Sequence, residues 1–390
     1  MVRYWAGALA AFIFLFAAVP LAQAQTAASS TSADSVGVDA PVATETYEKA
    51  VVLQVLGTTT EDIADTMTSE QYQTIDVQIL QGPDAGKTVI IDNDFLMLKK
   101  GDVFYALHNV DPDDGIDAYT VAEPYRIPLL IWLAVLFVAV LLIFGGKQGL
   151  RGLLSLIASF FFIGYLLLPG ILAGISPVLV AFGVSALIVG LGSYVTHGFN
   201  KTTTAAVIGM VATILVTGAL AYVAVYGGQF SGYTSDDATY LNVSTHGTID
   251  FVGLFLGGIM IGLLGILYDA AIGQAIAVEE LLEAGLTRGR VLRRALRMGR
   301  EHIGALVNTL AIAYVGASLP LLLLFEISNQ QSFAVTINQE IISSQIVRIL
   351  VGSIGLVLAV PITTLIAVYV LSRHRAEVSA GSGPEAVHHH

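Results

Sequence analysis

Seven apolar runs, each near the length that crosses a bilayer, leave this chain few folds to choose from. They lie at 127–144, 150–168, 176–195, 203–226, 249–272, 303–325 and 345–371. A helix needs about 20 apolar residues to span the hydrocarbon layer. Within that layer only helices and closed barrels satisfy every backbone polar group. Residues 124–375 therefore read as an α-helical polytopic membrane domain of about seven transmembrane helices. Composition agrees: 55% of the 390 residues are hydrophobic and 12% charged, where soluble domains carry about 25% charged residues. With no cysteine in the chain, disulfides, thiolate metal sites and thiol nucleophiles are excluded.

Lysine and arginine set an expected orientation. Lys147, Arg151, Lys201, Arg373, Arg375 and the six arginines between Arg288 and Arg300 fall on one side of the seven spans. The opposite loops, 169–175, 227–248 and 326–344, contain no Lys or Arg. Cationic loops stay on the cytoplasmic side, so the N-terminal part is expected outside and the C-terminus in the cytoplasm. Arg126 and Arg348 sit at outer helix ends, where long side chains snorkel to the interface. The segment "LLLPGILAGISP" (166–177) reads either as an outer turn or as a re-entrant break.

The segments before the first span differ in kind. Residues 1–24 read as a signal peptide, with Arg3, an apolar stretch from Ala8 to Val19 and the small-residue site Ala22-x-Ala24. An uncleaved anchor is the alternative. Residues 25–45 are small and polar, a flexible linker. Residues 46–123 alternate in short runs such as "KAVVLQVL", "YQTIDVQIL", "KTVIID" and "DVFYAL", separated by Gly-, Asp- and Pro-rich turns. That pattern predicts about five antiparallel strands in a small extracytoplasmic all-β domain, OB-like in size. Residues 45–124 hold 16 acidic and 4 basic residues, which argues against nucleic acid as a partner. "GPDAGKT" has three residues between Gly82 and Gly86 where a phosphate-binding loop has four, and it reads as a hairpin turn. Residues 376–390 read as tail and tag, so His388 to His390 carry no metal argument.

Chemistry concentrates around one carboxylate. Asp269 is the only charge in the apolar stretch from Phe251 to Val278. An ionisable group inside a span faces protein or water and marks a function by default. Gln274, Asn308, Thr309, Pro361, Thr363 and Thr364 fall at matching depth in the cytoplasmic half, with Ser155, Ser193, Tyr268 and Tyr314 as possible support. Pro361 removes a ladder hydrogen bond and frees a carbonyl. Together these would form an oxygen-rich, cofactor-free site suited to a proton or hard cation. For each polar residue taken singly, interhelical hydrogen bonding is the plainer reading. Gly253, Gly257, Gly258, Gly262, Gly265 and Gly273 predict a central, tightly packed fifth span. Residues 277–301 read as a cytoplasmic amphipathic helix. Its Arg288, Arg290, Arg293, Arg294, Arg297 and Arg300 would hold it to anionic lipid. A coupling helix that grips a separate ATPase is the sharper alternative. The histidines outside the tag show no metal-ligand spacing, "DPDDGIDAY" (111–119) departs from a calcium loop, and no hydrolase motif occurs.

The segments "GGKQGLRGLLSL" (145–156), "GILYDAAIGQAIAVEEL" (265–281) and "GREHIGALVNTLAIAYVGASLPLLLLF" (299–325), with "LQGPDAGKTVIIDNDFLMLKKGD" (80–102), resemble the YibE/F family of bacterial membrane proteins. The resemblance implies an extracytoplasmic β domain on a polytopic domain in the bacterial inner membrane, and supplies no settled activity. The expected function is movement of a small solute or ion, without enzymatic chemistry. A non-catalytic envelope module whose outer domain binds a partner, or a permease-like subunit with a separate ATPase, are the alternatives. A homo-oligomer is compatible with either.

Overall fold

A computed structural model describes residues 44–62, 69–94, 96–111, 116–327 and 332–381. The expected signal peptide, most of the linker and the tag lie outside these residues. The chain divides into two compact units, with the boundary after Phe137.

Five antiparallel strands build the N-terminal unit. They are β1 (Thr44–Asp62), β2 (Ser69–Gln81), β3 (Thr88–Asn93), β4 (Val103–Asp111) and β5 (Ile116–Pro124). Their order is β3-β2-β1-β4-β5. Register shifts along β1 at Lys49/Ala50, Val52/Gln54 and Val55/Gly57 bend that long central strand. The edge strands β3 and β5 consequently approach each other and the sheet curls into a half-barrel. Alternation selects the inner face: Ile75, Val77 and Ile79 from β2 meet Ala50, Val52, Phe104, Ala106 and Ile91, all buried. Gln73 continues that phase and is buried too. It is satisfied by Leu98, donating to its carbonyl at 2.8 Å and accepting from its N–H at 2.9 Å. One further inward position, Glu48, is charged.

The second unit is helical. Its elements are α1 (Ile127–Phe162), a π-turn (Ile163–Leu167), α2 (Leu168–Leu172), α3 (Pro177–His197), α4 (Lys201–Gly227) and α5 (Asp236–Ser244). These are followed by α6 (Phe251–Gly262), α7 (Leu264–Glu283), α8 (Arg288–Ala317), α9 (Leu319–Ile327), α10 (Phe333–Ile337) and α11 (Glu340–Gly381). Among the described residues, five to six stretches can cross a membrane by length and composition, against the seven expected. The difference arises in α1. The runs 127–144 and 150–168 form one helical stretch to Leu172, because the polar "GGKQ" between them stays helical except at Gly146 (φ 53°, ψ −132°). The chain turns sharply there, since a Cβ on Gly149 would lie 2.3 Å from the Leu141 carbonyl oxygen. The sixth stretch is α8 with α9, bent by 64° at Ser318.

Two further expectations need correction. The last span is not broken at Pro361: α11 runs as one helix through it. The amphipathic helix expected over 277–301 is split. α7 ends at Glu283, and the Leu286 N–H returns to the Leu281 carbonyl around Gly285 (φ +77°), a left-handed cap that only glycine adopts freely. α8 then starts at Arg288 and continues into the sixth span. The fifth span, α6–α7, is the most buried of the candidates, as its glycines predict. Gly257 lies against Ala181 and Gly262 against the Tyr314 hydroxyl, while Gly258, Gly265 and Gly273 face open space.

Candidate functional site

A cleft of about 430 Å³ opens between the second half of α1, α3 and the α6–α7 junction. Its lining includes Ser155, Ser159, Ile163, Thr196, Tyr268 and Asp269. Helical phase explains the grouping. Ser155 and Ser159 are four residues apart on α1, and Gly265 and Asp269 are four apart on α7, so each pair shares a face. Close approach of α1 to α3 depends on Gly192, where a Cβ would lie 2.7 Å from Ser155 Oγ. The Tyr268 hydroxyl donates to the Gly192 carbonyl at 3.4 Å, joining α7 to α3 at the same level. The Ser159 hydroxyl donates to the Ser155 carbonyl at 2.9 Å. Asp269 is exposed to the cleft and makes no hydrogen bond or ion pair among the described residues.

Two helical irregularities border this cleft. The π-turn at Ile163–Leu167 contributes Ile163, and the helix interruption at Leu263 falls between Ile261 and Leu264. Local π geometry inside a helix is frequent where function needs a side chain re-aimed.

The expected constellation is divided. Of its members, Asp269, Tyr268 and Ser155 line the cleft. Gln274 lies five residues past Asp269, about 140° around the helix. It is buried, and its amide donates to the Ala295 carbonyl at 2.7 Å, clamping α7 to α8. Asn308 and Thr309 are exposed on α8, where Thr309 donates to Ala305 of its own helix. Thr363 and Thr364 are fully buried in α11. Thr364 returns to the Val360 carbonyl, and Thr363 packs on Gly209 of α4 with its hydroxyl lacking a partner among the described residues. Pro361 is half-buried beside them. Ser193 is buried, and its hydroxyl has no partner among the described residues. Tyr314 lines a separate, apolar cavity of about 240 Å³ with Phe325 and Phe333.

The six arginines, Arg288, Arg290, Arg293, Arg294, Arg297 and Arg300, are all exposed on α8, while Val291, Ala295 and Gly299 face inward. That separation is what a cationic surface facing anionic lipid requires.

Sequence reading missed a second cluster. Glu48, Asp84 and His108 converge at one end of the half-barrel, from β1, the β2–β3 turn and β4. Its signal was present, since Glu48 is in phase with the inward Ala50 and Val52.

No curated protein and no solved structure matches this chain. Residues 133–373, from within α1 to the end of the last span, match the family described as YibE/F-like protein. With more than half of its length matched, the chain belongs to the YibE/F-like protein family.

Proposed function

We propose that this protein moves a small solute or ion across the membrane, with Asp269 as the protonatable or cation-binding group. The observation that carries this reading is Asp269 itself. It is a carboxylate on an apolar span, without a protein partner among the described residues, lining a cleft with Tyr268, Ser155, Ser159 and Thr196. Unpaired charge at that depth is costly and is retained where it contacts water or cargo. The π-turn and the Leu263 interruption support the reading, because they place non-ideal backbone beside the cleft.

The same reading treats α1 as two spans turning at Gly146, because 46 residues from Ile127 to Leu172 are about twice what a bilayer needs. Seven crossings result, with the β domain outside and the arginine face of α8 in the cytoplasm, as the Lys and Arg distribution favours. The strand order and the facing edges β3 and β5 support an OB-like outer domain.

Flux of protons, sodium and potassium into proteoliposomes under imposed gradients tests the proposal. Asp269→Asn, reconstituted at equal density, is expected to lose flux by tenfold or more. Full flux in that variant would overturn the role of Asp269.

A further inference from the structure

We infer that the outer domain binds a divalent transition cation of the zinc class through Glu48, Asp84 and His108. Glu48 is fully buried on the inner face of β1, and neither carboxylate oxygen has a hydrogen-bond partner among the described residues. Such a carboxylate stays buried only with a compensating charge. His108 Nδ1 lies 4.0 Å from Glu48 Oε1 and 3.6 Å from Asp84 Oδ2. Both separations are too long for hydrogen bonds. They match the spacing of ligand atoms around one ion: ligands at about 2.1 Å in a tetrahedral shell lie roughly 3.4 Å apart. The three ligand atoms all lie within 4.8 Å of one another.

The surrounding residues fix the chemistry. His108 Nε2 is 2.7 Å from Asp117 Oδ1. With Nε2–H donating there, the Nδ1 lone pair faces the two carboxylates. This carboxylate–histidine arrangement orients metal-ligating imidazoles. Tyr119 stacks on the His108 ring (4.0 Å between centroids, 8° between planes) and donates to Asp84 Oδ2. Lys87 Nζ lies 3.5 Å from the same Asp84 oxygen. Glu48, Asp84 and Asp117 against Lys87 leave two uncompensated negative charges, which suits a dication. One imidazole and two carboxylates favour zinc over calcium or magnesium, which take oxygen ligands alone. Gly82 makes the room: its φ is +116°, and a Cβ there would lie 2.7 Å from Glu48 Cδ.

The test uses the full chain in detergent, lacking His388–His390 so that the tag contributes no ligands, stripped with chelator and titrated with zinc by calorimetry and elemental analysis. One zinc per chain is expected, with thermal stabilisation of the wild type by zinc. Glu48→Gln and His108→Gln are each expected to weaken binding at least a hundredfold and to abolish zinc-dependent stabilisation. Asp117→Asn, which leaves all three ligands in place, is expected to weaken it tenfold to a hundredfold. Absence of zinc uptake by the wild type, or unchanged affinity in Asp117→Asn together with either folded ligand variant, would overturn the site. None of these outcomes depends on flux through the membrane domain.

Discussion

At the scale of single residues, Gly82 and Glu48 stand or fall together. The turn after β2 needs a left-handed residue, and the space a side chain would take there is filled by the Glu48 carboxylate. Gly82→Ala should therefore cost about 2–3 kcal/mol through backbone strain and displacement of Glu48. Hydrogen exchange on the full chain would report it as lost protection in β1 and β2; wild-type protection would contradict it. Asp269 was legible in the sequence because a lone charge in an apolar run stands out without any structure. Gln274 was not, because its depth resembles that of Asp269 and only helical phase, fixed by the packing of α7 on α8, turns it to Ala295.

At the scale of elements, the most extensive helix contact among the described residues joins α4 and α11. A Cβ on Gly209 would lie 2.5 Å from Thr363 Oγ1, and one on Gly355 would lie 2.3 Å from Thr217 Oγ1. Gly209→Val should overpack this contact at a cost of about 1–3 kcal/mol. Gly258→Ala and Gly273→Ala, which meet nothing within 4 Å, should be neutral or stabilising by up to about 1 kcal/mol. Thermal unfolding of the detergent-solubilised variants measures both, and equal effects would refute this assignment of packed and open glycines. The strands of the N-terminal unit and most spans were legible from period and length. The kinks were less so. The bend at Ser318 is followed by Leu319–Pro320, and the π-turn that ends at Leu167 is followed by Leu168–Pro169, two similar sites where proline opens a short helix. Local sequence marks such a site, but neighbouring helices decide how far the chain bends.

For the whole molecule, the distribution of Lys and Arg predicts one orientation, and the absence of cysteine offers a clean test. Single substitutions at exposed positions, Thr58→Cys in β1 and Gly289→Cys at the start of α8, place reporters on the two sides. A membrane-impermeant maleimide applied to spheroplasts should label Thr58→Cys alone, with Gly289→Cys reacting only after lysis. The reverse pattern would invert the topology. Hydrophobic length and charge asymmetry determined from the sequence that this is a membrane protein with an acidic β domain before its first span, because both act through solvent and lipid and need no contact map. The tertiary structure alone decided which polar groups meet. Asp269 and Tyr268 of α7 share a cleft with Ser155 of α1 and Thr196 of α3, and Glu48 joins Asp84 and His108 across two strands and a turn. Those meetings depend on helical phase, strand register and a few close glycine approaches, which are set by packing between segments distant in sequence.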